Sequence, residues 1–154
     1  MKNRFQRRVY KSKGIKEISY LDSSEKIPKR FSPLRLFCYE ETFMESRSSL
    51  EIHRNAGVIL WALHFVAEGI CKLQCEGRGF LLKRGNVFLN RTNQEITLSV
   101  PEGETFCKKT ILILYSDALE AICGSFSDIE SDIIFLKEPD HFEHLLDAIR
   151  SAIL

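Results

Sequence analysis

From Val58 to Val100 the chain alternates short apolar runs with glycine-bearing polar breaks, which predicts strands rather than helices. The run Val58–Ala67, VILWALHFVA, is rich in β-branched and aromatic residues and reads as a buried strand ending in a turn at Glu68-Gly69. Strands at Ile70–Gln74, Phe80–Leu82, Val87–Leu89 and Ile96–Val100 follow at short spacing. Breaks at Gly77-Arg78-Gly79, Lys83-Arg84-Gly85 and Arg91–Gln94 separate them. Upstream, Leu34–Tyr39 and Leu50–His53 read as strands, whereas residues 1–33, punctuated by Pro28 and Pro33, read as an irregular lead-in. Thr105–Tyr115 is the last long strand, with Lys108-Lys109 read as a bend. Closely spaced strands with glycine turns, and no helices alternating with them, predict a sandwich or barrel.

Beyond Tyr115 the period changes. Asp117 can cap a short helix, Ala118–Cys123, which Gly124 ends, and Asp128–Leu136 fits either a helix or a strand. Asp140, just after Pro139, opens a second helix. Its residues Phe142, Leu145, Leu146, Ile149 and Ile153 fall on one apolar stripe. Such a stripe packs against the barrel, against a twin helix, or some of each, so these five are the candidate dimer interface. The chain stops inside this helix at Leu154, which leads to the expectation that the natural protein continues.

Composition narrows the class. With 154 residues, 44% hydrophobic and 28% charged, the chain suits one globular domain. No apolar run reaches the length of a membrane span and no apolar region follows the N-terminal charges, so the expectation is a cytoplasmic protein with no membrane partner. The net charge is +1 but uneven: Lys2, Arg4, Arg7, Arg8, Lys11, Lys13 and Lys16 all precede the first acid, Glu17. That basic arm suits phosphates or an acidic protein surface, or is a solvated tail. Five cysteines (Cys38, Cys71, Cys75, Cys107 and Cys123) make an odd set that argues against a disulfide framework. Cys71 and Cys75 would lie about 13 Å apart along a strand, too far for one disulfide.

The stretch Trp61–Val100 resembles the N-terminal sensor domain of AraC-family transcription regulators. Trp61, the Glu68-Gly69 pair, Gly77, Leu82 and Gly85 stand where that family has an aromatic, its glycine turns and its "l-x-x-G-D" element. Asn86 replaces the usual Asp, and the Pro-Gly-x-x-His type turn is missing. The resemblance implies a mainly β fold: a cupin-like barrel (jelly-roll, or double-stranded β-helix) followed by C-terminal α-helices. It divides the chain into an arm and lead-in at 1–33, a barrel at 34–116 and C-terminal helices at 117–154. It also implies a DNA-binding domain beyond Leu154, a homodimer, and a small-molecule effector such as a sugar, another metabolite or an amphiphile.

Candidate chemistry follows from this frame. Metal-binding cupins use a His-x-His pair, a Glu and a further His. The four histidines here are His53, His64, His141 and His144, and none makes a His-x-His pair. The expectation is therefore no barrel metal, no cofactor, no catalytic residue and no enzyme activity. Arg54, in a stretch similar to the Ile-x-Arg of arabinose-sensing members, is the first ligand candidate, or else a surface arginine. Trp61 can stack on a sugar or serve the core, and His64 can bind ligand or be a satisfied buried histidine. Trp61 and His64 point to opposite faces of a regular strand, so they share a pocket only if a bulge intervenes. Thr97 and Thr110 add hydroxyls. The competing classes are a stand-alone cupin enzyme and a ligand-free protein-interaction domain.

Overall fold

The computed structural model describes residues 5–22, 36–52, 60–91, 94–114, 133–135 and 139–154. Ten strands and one helix lie among them: β1 (Phe5–Ser12), β2 (Ile15–Asp22), β3 (Leu36–Met44), β4 (Ser49–Ile52), β5 (Leu60–Cys75), β6 (Arg78–Lys83), β7 (Asn86–Arg91), β8 (Ile96–Ser99), β9 (Phe106–Leu114), β10 (Ile133–Phe135) and α1 (Pro139–Ile153). All the pairings are antiparallel. The larger face runs β1-β2-β3-β9-β5-β7-β10, and the smaller is built from β6, β5, β8 and β4. The two faces curl into a half-barrel, the barrel that the strand pattern allowed and the cupin-like form that the resemblance implied.

β5 belongs to both faces. Its first half pairs with β7 and β9, its second half with β6 and β8. The Glu68-Gly69 pair, expected as a turn, is instead a bend within one 16-residue strand. The register against β9 slips between Val66 and Glu68, and Gly69 has φ +82°. A Cβ at Gly69 would stand 1.8 Å from the Thr105 carbonyl oxygen, so only glycine fits. The inserted residue bends the strand and passes it from one sheet to the other without reversing it. Reversal comes at Glu76-Gly77, where both residues have positive φ (50° and 76°). Cys75 pairs with Arg78 across this two-residue loop, the turn that matches strand twist.

The lead-in differs from the expectation of irregular chain. Over residues 5–22 it is a hairpin, β1 and β2, that extends the larger sheet from β3. Phe5, Val9, Ile18 and Tyr20 carry the outward alternation, which the interleaved cations obscure. Residues 133–135, within the stretch Asp128–Leu136 that fitted either a helix or a strand, form a strand paired with β7. The predicted helix at Ala118–Cys123 lies outside the described residues. Among the described residues, no helix is long and apolar enough to cross a membrane.

Two large cores and a smaller cluster of Cys38, Ala62 and Leu112 result. Inside the barrel, Ile15, Met44, Val66, Cys71, Leu73, Leu82, Phe88, Ile96, Leu98, Val100 and Phe106 form one cluster. On the outer face of the larger sheet, Tyr20, Tyr39, Phe65, Ala67 and Val87 receive Leu146 and Ile153 of α1, with Phe142 and Ile149 alongside. Four of the five stripe residues are thus spent on the chain's own sheet, and only Leu145, 55% exposed, is left outside. Charges frame this seam. Arg84 donates to the Ala67 carbonyl and to Asp140 (both 2.6 Å) and to Glu143 (3.2 Å). Lys109 donates to Asp147 (2.9 Å) and Glu143 (3.3 Å), and Arg150 pairs with Glu41 (2.8 Å).

Burial pushes the Cys71 thiol up to about 11. Burial, with the Glu68 and Glu41 carboxylates beside it, does the same for Cys107. A raised folded-state value means the neutral thiol is favoured in the fold, so this stability is intact below the unfolded value and lost as pH rises through the folded one. Denaturant melts are therefore expected to lose stability as pH climbs from the free-thiol value of 9.0 towards 11. An unchanged midpoint across that window would contradict the assignment.

Candidate functional site

The interior of the larger sheet is polar at its centre. On β9, FCKKTILIL, even positions face inward, so Lys108 and Thr110 enter the barrel while Lys109 points out to α1. The Lys108-Lys109 pair is not a bend: β9 pairs in step with β3 on one side and β5 on the other through both residues. Register places Thr110 beside His64 on β5, and His64 beside Phe88 on β7. One row away, Thr42 on β3 stands between Lys108 and Glu17.

These side chains form one directional chain. Lys108 Nζ donates to Thr110 Oγ1 (2.8 Å), which leaves the Thr110 hydroxyl proton for His64 Nδ1 (2.9 Å). Asn90 Nδ2 donates to the Arg91 carbonyl (3.0 Å), so Asn90 Oδ1 is the atom that faces His64 Nε2, at 2.6 Å. An amide oxygen only accepts, hence His64 carries a proton on Nε2 and donates it to Asn90. Its ring stacks on Phe88 with centroids 4.1 Å apart and planes 8° from parallel. His64, Lys108, Thr110 and Thr42 are each at most 1% exposed, and Asn90 is 5% exposed. Thr42 Oγ1 donates to Glu17 Oε1 (3.4 Å), and Cys38 lies 3.7 Å from Glu40 Oε1. The inner face of the larger sheet thus holds a lysine, hydroxyls, an amide and carboxylates in a fixed order.

The sequence candidates distribute unevenly around this cluster. His64 and Thr110 are brought together within hydrogen-bond distance. Trp61 is not: it faces outward, 8% exposed, with the Arg91 guanidinium 5.4 Å from its ring centroid. The only register slip on β5 lies beyond both residues, between Val66 and Glu68, so it cannot turn Trp61 to His64's side. Thr97 sits on β8 between the inward Ile96 and Leu98, and so faces away from the interior. It lines an open cleft of about 540 Å³ with Glu76, Arg78 and Gln94. Arg54 and His53 lie outside the described residues. Lys108, Asn90, Thr42 and Glu17 were not foreseen, although parity counted from Thr110 would have placed Lys108 inside.

One family letter keeps its mechanical role. Asn86, where the sensor family usually has Asp, accepts the Lys83 backbone N–H at 2.8 Å through Oδ1 and closes the Arg84-Gly85 turn. An amide oxygen serves there as a carboxylate would.

Residues 34–153 match the family model described as the AraC-like ligand binding domain. No curated protein sequence is significantly similar to the chain. Among solved structures, vicilin from hazelnut (Corylus avellana) is similar with a TM-score of 0.54 at 14% identity, over 75% of this chain and 33% of the vicilin chain. The plu4264 protein of Photorhabdus luminescens is similar with a TM-score of 0.51 at 13% identity, over 80% of this chain and 92% of that one. A predicted oxalate decarboxylase of Thermotoga maritima has a TM-score of 0.50 at 13% identity, over 72% and 94%. At such identities the structural likenesses concern the fold alone.

Proposed function

We propose, from the premise that the chain belongs to the AraC-like ligand-binding domain family, that it is the effector-sensing and dimerisation domain of an AraC-type transcriptional regulator. It is not an enzyme in this reading, works in the cytoplasm, and reaches DNA through a domain outside this sequence. The observation that carries the reading is the buried, directional chain Lys108–Thr110–His64–Asn90 on the inner face of the barrel. A core serving stability alone is better filled with apolar side chains, because each buried polar group costs free energy unless it is fully paired. The effector is a small polar molecule, a sugar or another metabolite. His64 and Thr110 orient it, with Lys108, Thr42 and Asn90 beside them, and Arg54 remains a candidate contact on sequence grounds.

Alternation along β9 supplies a route from this site to the helix. Lys108 faces the interior and Lys109, the next residue, holds Glu143 and Asp147 of α1. Burial lowers the pKa of the Lys109 ammonium, the two carboxylates outweigh burial, and the pKa lies above the usual lysine value. An effector that favours one position of β9 thereby favours one position of α1, through its different affinity for the two states. A thermal-shift screen of sugars, organic acids and amphiphiles tests the reading, since a ligand of the folded state raises apparent stability by mass action.

The homodimer draws on the side of α1 that the sheet leaves uncovered, around Leu145. Sedimentation of the wild-type chain at high micromolar concentration is expected to give a dimer, and Leu145→Glu a folded monomer. A wild-type chain that stays monomeric there would contradict this part of the proposal.

A further inference from the structure

A second site lies on the outer face of the larger sheet, apart from the barrel interior. One row of outward residues crosses the strands in register: Lys11 on β1, Lys16 on β2, Phe43 on β3, Cys107 on β9 and Glu68 on β5. They line a cleft of about 500 Å³, open to solvent. Phe43 is 40% exposed, a large apolar surface left in water. Among the described residues, Lys11, Lys16 and Glu68 form no ion pair. Glu45 lies at the lysine end, beside Gly14, and leaves that end with one net positive charge.

The cleft is therefore bipolar: cationic at the hairpin, apolar in the middle and anionic at Glu68. From Lys16 to Glu68 the row crosses three inter-strand gaps, about 14 Å. An extended peptide covers that span with about four residue steps. Small-molecule sites enclose most of their ligand, which an open cleft on a sheet face does not. We infer that this cleft takes an extended segment of a protein partner, with an acidic residue over Lys11 and Lys16, an apolar residue on Phe43, and a basic residue at Glu68. Opposite charges at the two ends fix which way the segment lies, and the burial of Phe43 supplies most of the affinity.

The test is titration of the ¹⁵N-labelled chain with acetyl-Asp-Ala-Leu-Ala-Lys-amide, read by NMR. Amide shifts are expected at Ile15, Lys16, Phe43, Glu45, Glu68 and Cys107. Acetyl-Lys-Ala-Leu-Ala-Lys-amide is expected to bind more weakly. Phe43→Ala should weaken binding about tenfold, the worth of one buried aromatic side chain. Lys16→Glu should weaken it by about two- to fivefold, the worth of an exposed ion pair, and adding Glu68→Lys should restore it. All three side chains are exposed or at a cleft edge, so the variants fold. The inference is overturned if no amide in the row shifts at millimolar peptide, or if the two peptides bind alike. It is equally overturned if the same amides shift with chain concentration alone, which would make the occupant a second copy.

Discussion

Leu146→Ala is expected to destabilise the domain by about 2–5 kcal/mol, the range for removing a large aliphatic side chain from a core that relaxes only in part. Leu146 is fully buried and packs from α1 into the cluster of Tyr39, Phe65 and Val87. The neighbouring Leu145, 55% exposed, is the internal control: Leu145→Ala should cost less than about 1 kcal/mol, as surface substitutions do. Urea melts of the two variants decide it. Equal losses would mean that α1 is not seated on the sheet as described. The ion pairs at the edge of the seam are not expected to substitute for Leu146. Asp140 is mostly exposed, and an exposed pair contributes about 0–1 kcal/mol.

The second large effect belongs to the interior. Thr110→Val keeps the shape of the side chain and removes the hydroxyl that accepts from Lys108 and donates to His64. Depriving buried polar groups of a partner costs about 1–3 kcal/mol each, more where one is charged. The variant should therefore lose about 2 kcal/mol or more while retaining its strand content. Its His64 ring should also lose the hydrogen bond at Nδ1 while Nε2 keeps Asn90, read as a change in the ¹⁵N shift of Nδ1. A Thr110→Val chain as stable as wild type, with an unchanged imidazole spectrum, would show that the hydrogen-bond chain is not formed.

Much of this architecture was legible from short apolar runs, rich in β-branched and aromatic residues, punctuated by glycine turns, because a strand that borders a core must be apolar and a tight reversal favours glycine. The barrel strands from β5 to β9 were found for that reason. What escaped has local causes. Glu68-Gly69 has the letters of a turn, and a glycine that admits a turn also admits a bulge; only the Thr105 carbonyl against Gly69 distinguishes them. The β1–β2 hairpin was hidden by its cations, which stand on an edge strand with little to bury. Lys108-Lys109 looked like a break because two adjacent charges are unusual in a buried strand. One of them in fact enters a polar interior, and the other meets the carboxylates of α1.

The apolar stripe of α1 was equally plain, but a stripe does not name what covers it. Here the chain's own sheet covers four of its five residues, so the proposed dimer would use the remaining side. At the site, His64 and Thr110 stood out as polar residues in apolar strands, and both are in the cluster. Trp61 stood out by its size, yet parity already set it on the other face from His64, and no bulge lies between them.

The interior reading has one most direct test. A compound that raises the melting temperature of the wild-type chain in the thermal-shift screen should be titrated into wild type, Thr110→Val and Leu145→Ala by calorimetry. Binding is expected to weaken at least about tenfold in Thr110→Val, the loss of a hydrogen bond that engages a charged group, and to be unchanged in Leu145→Ala. Equal affinity for all three chains would place the compound elsewhere and contradict the assignment of the Lys108–Thr110–His64–Asn90 chain as the effector site.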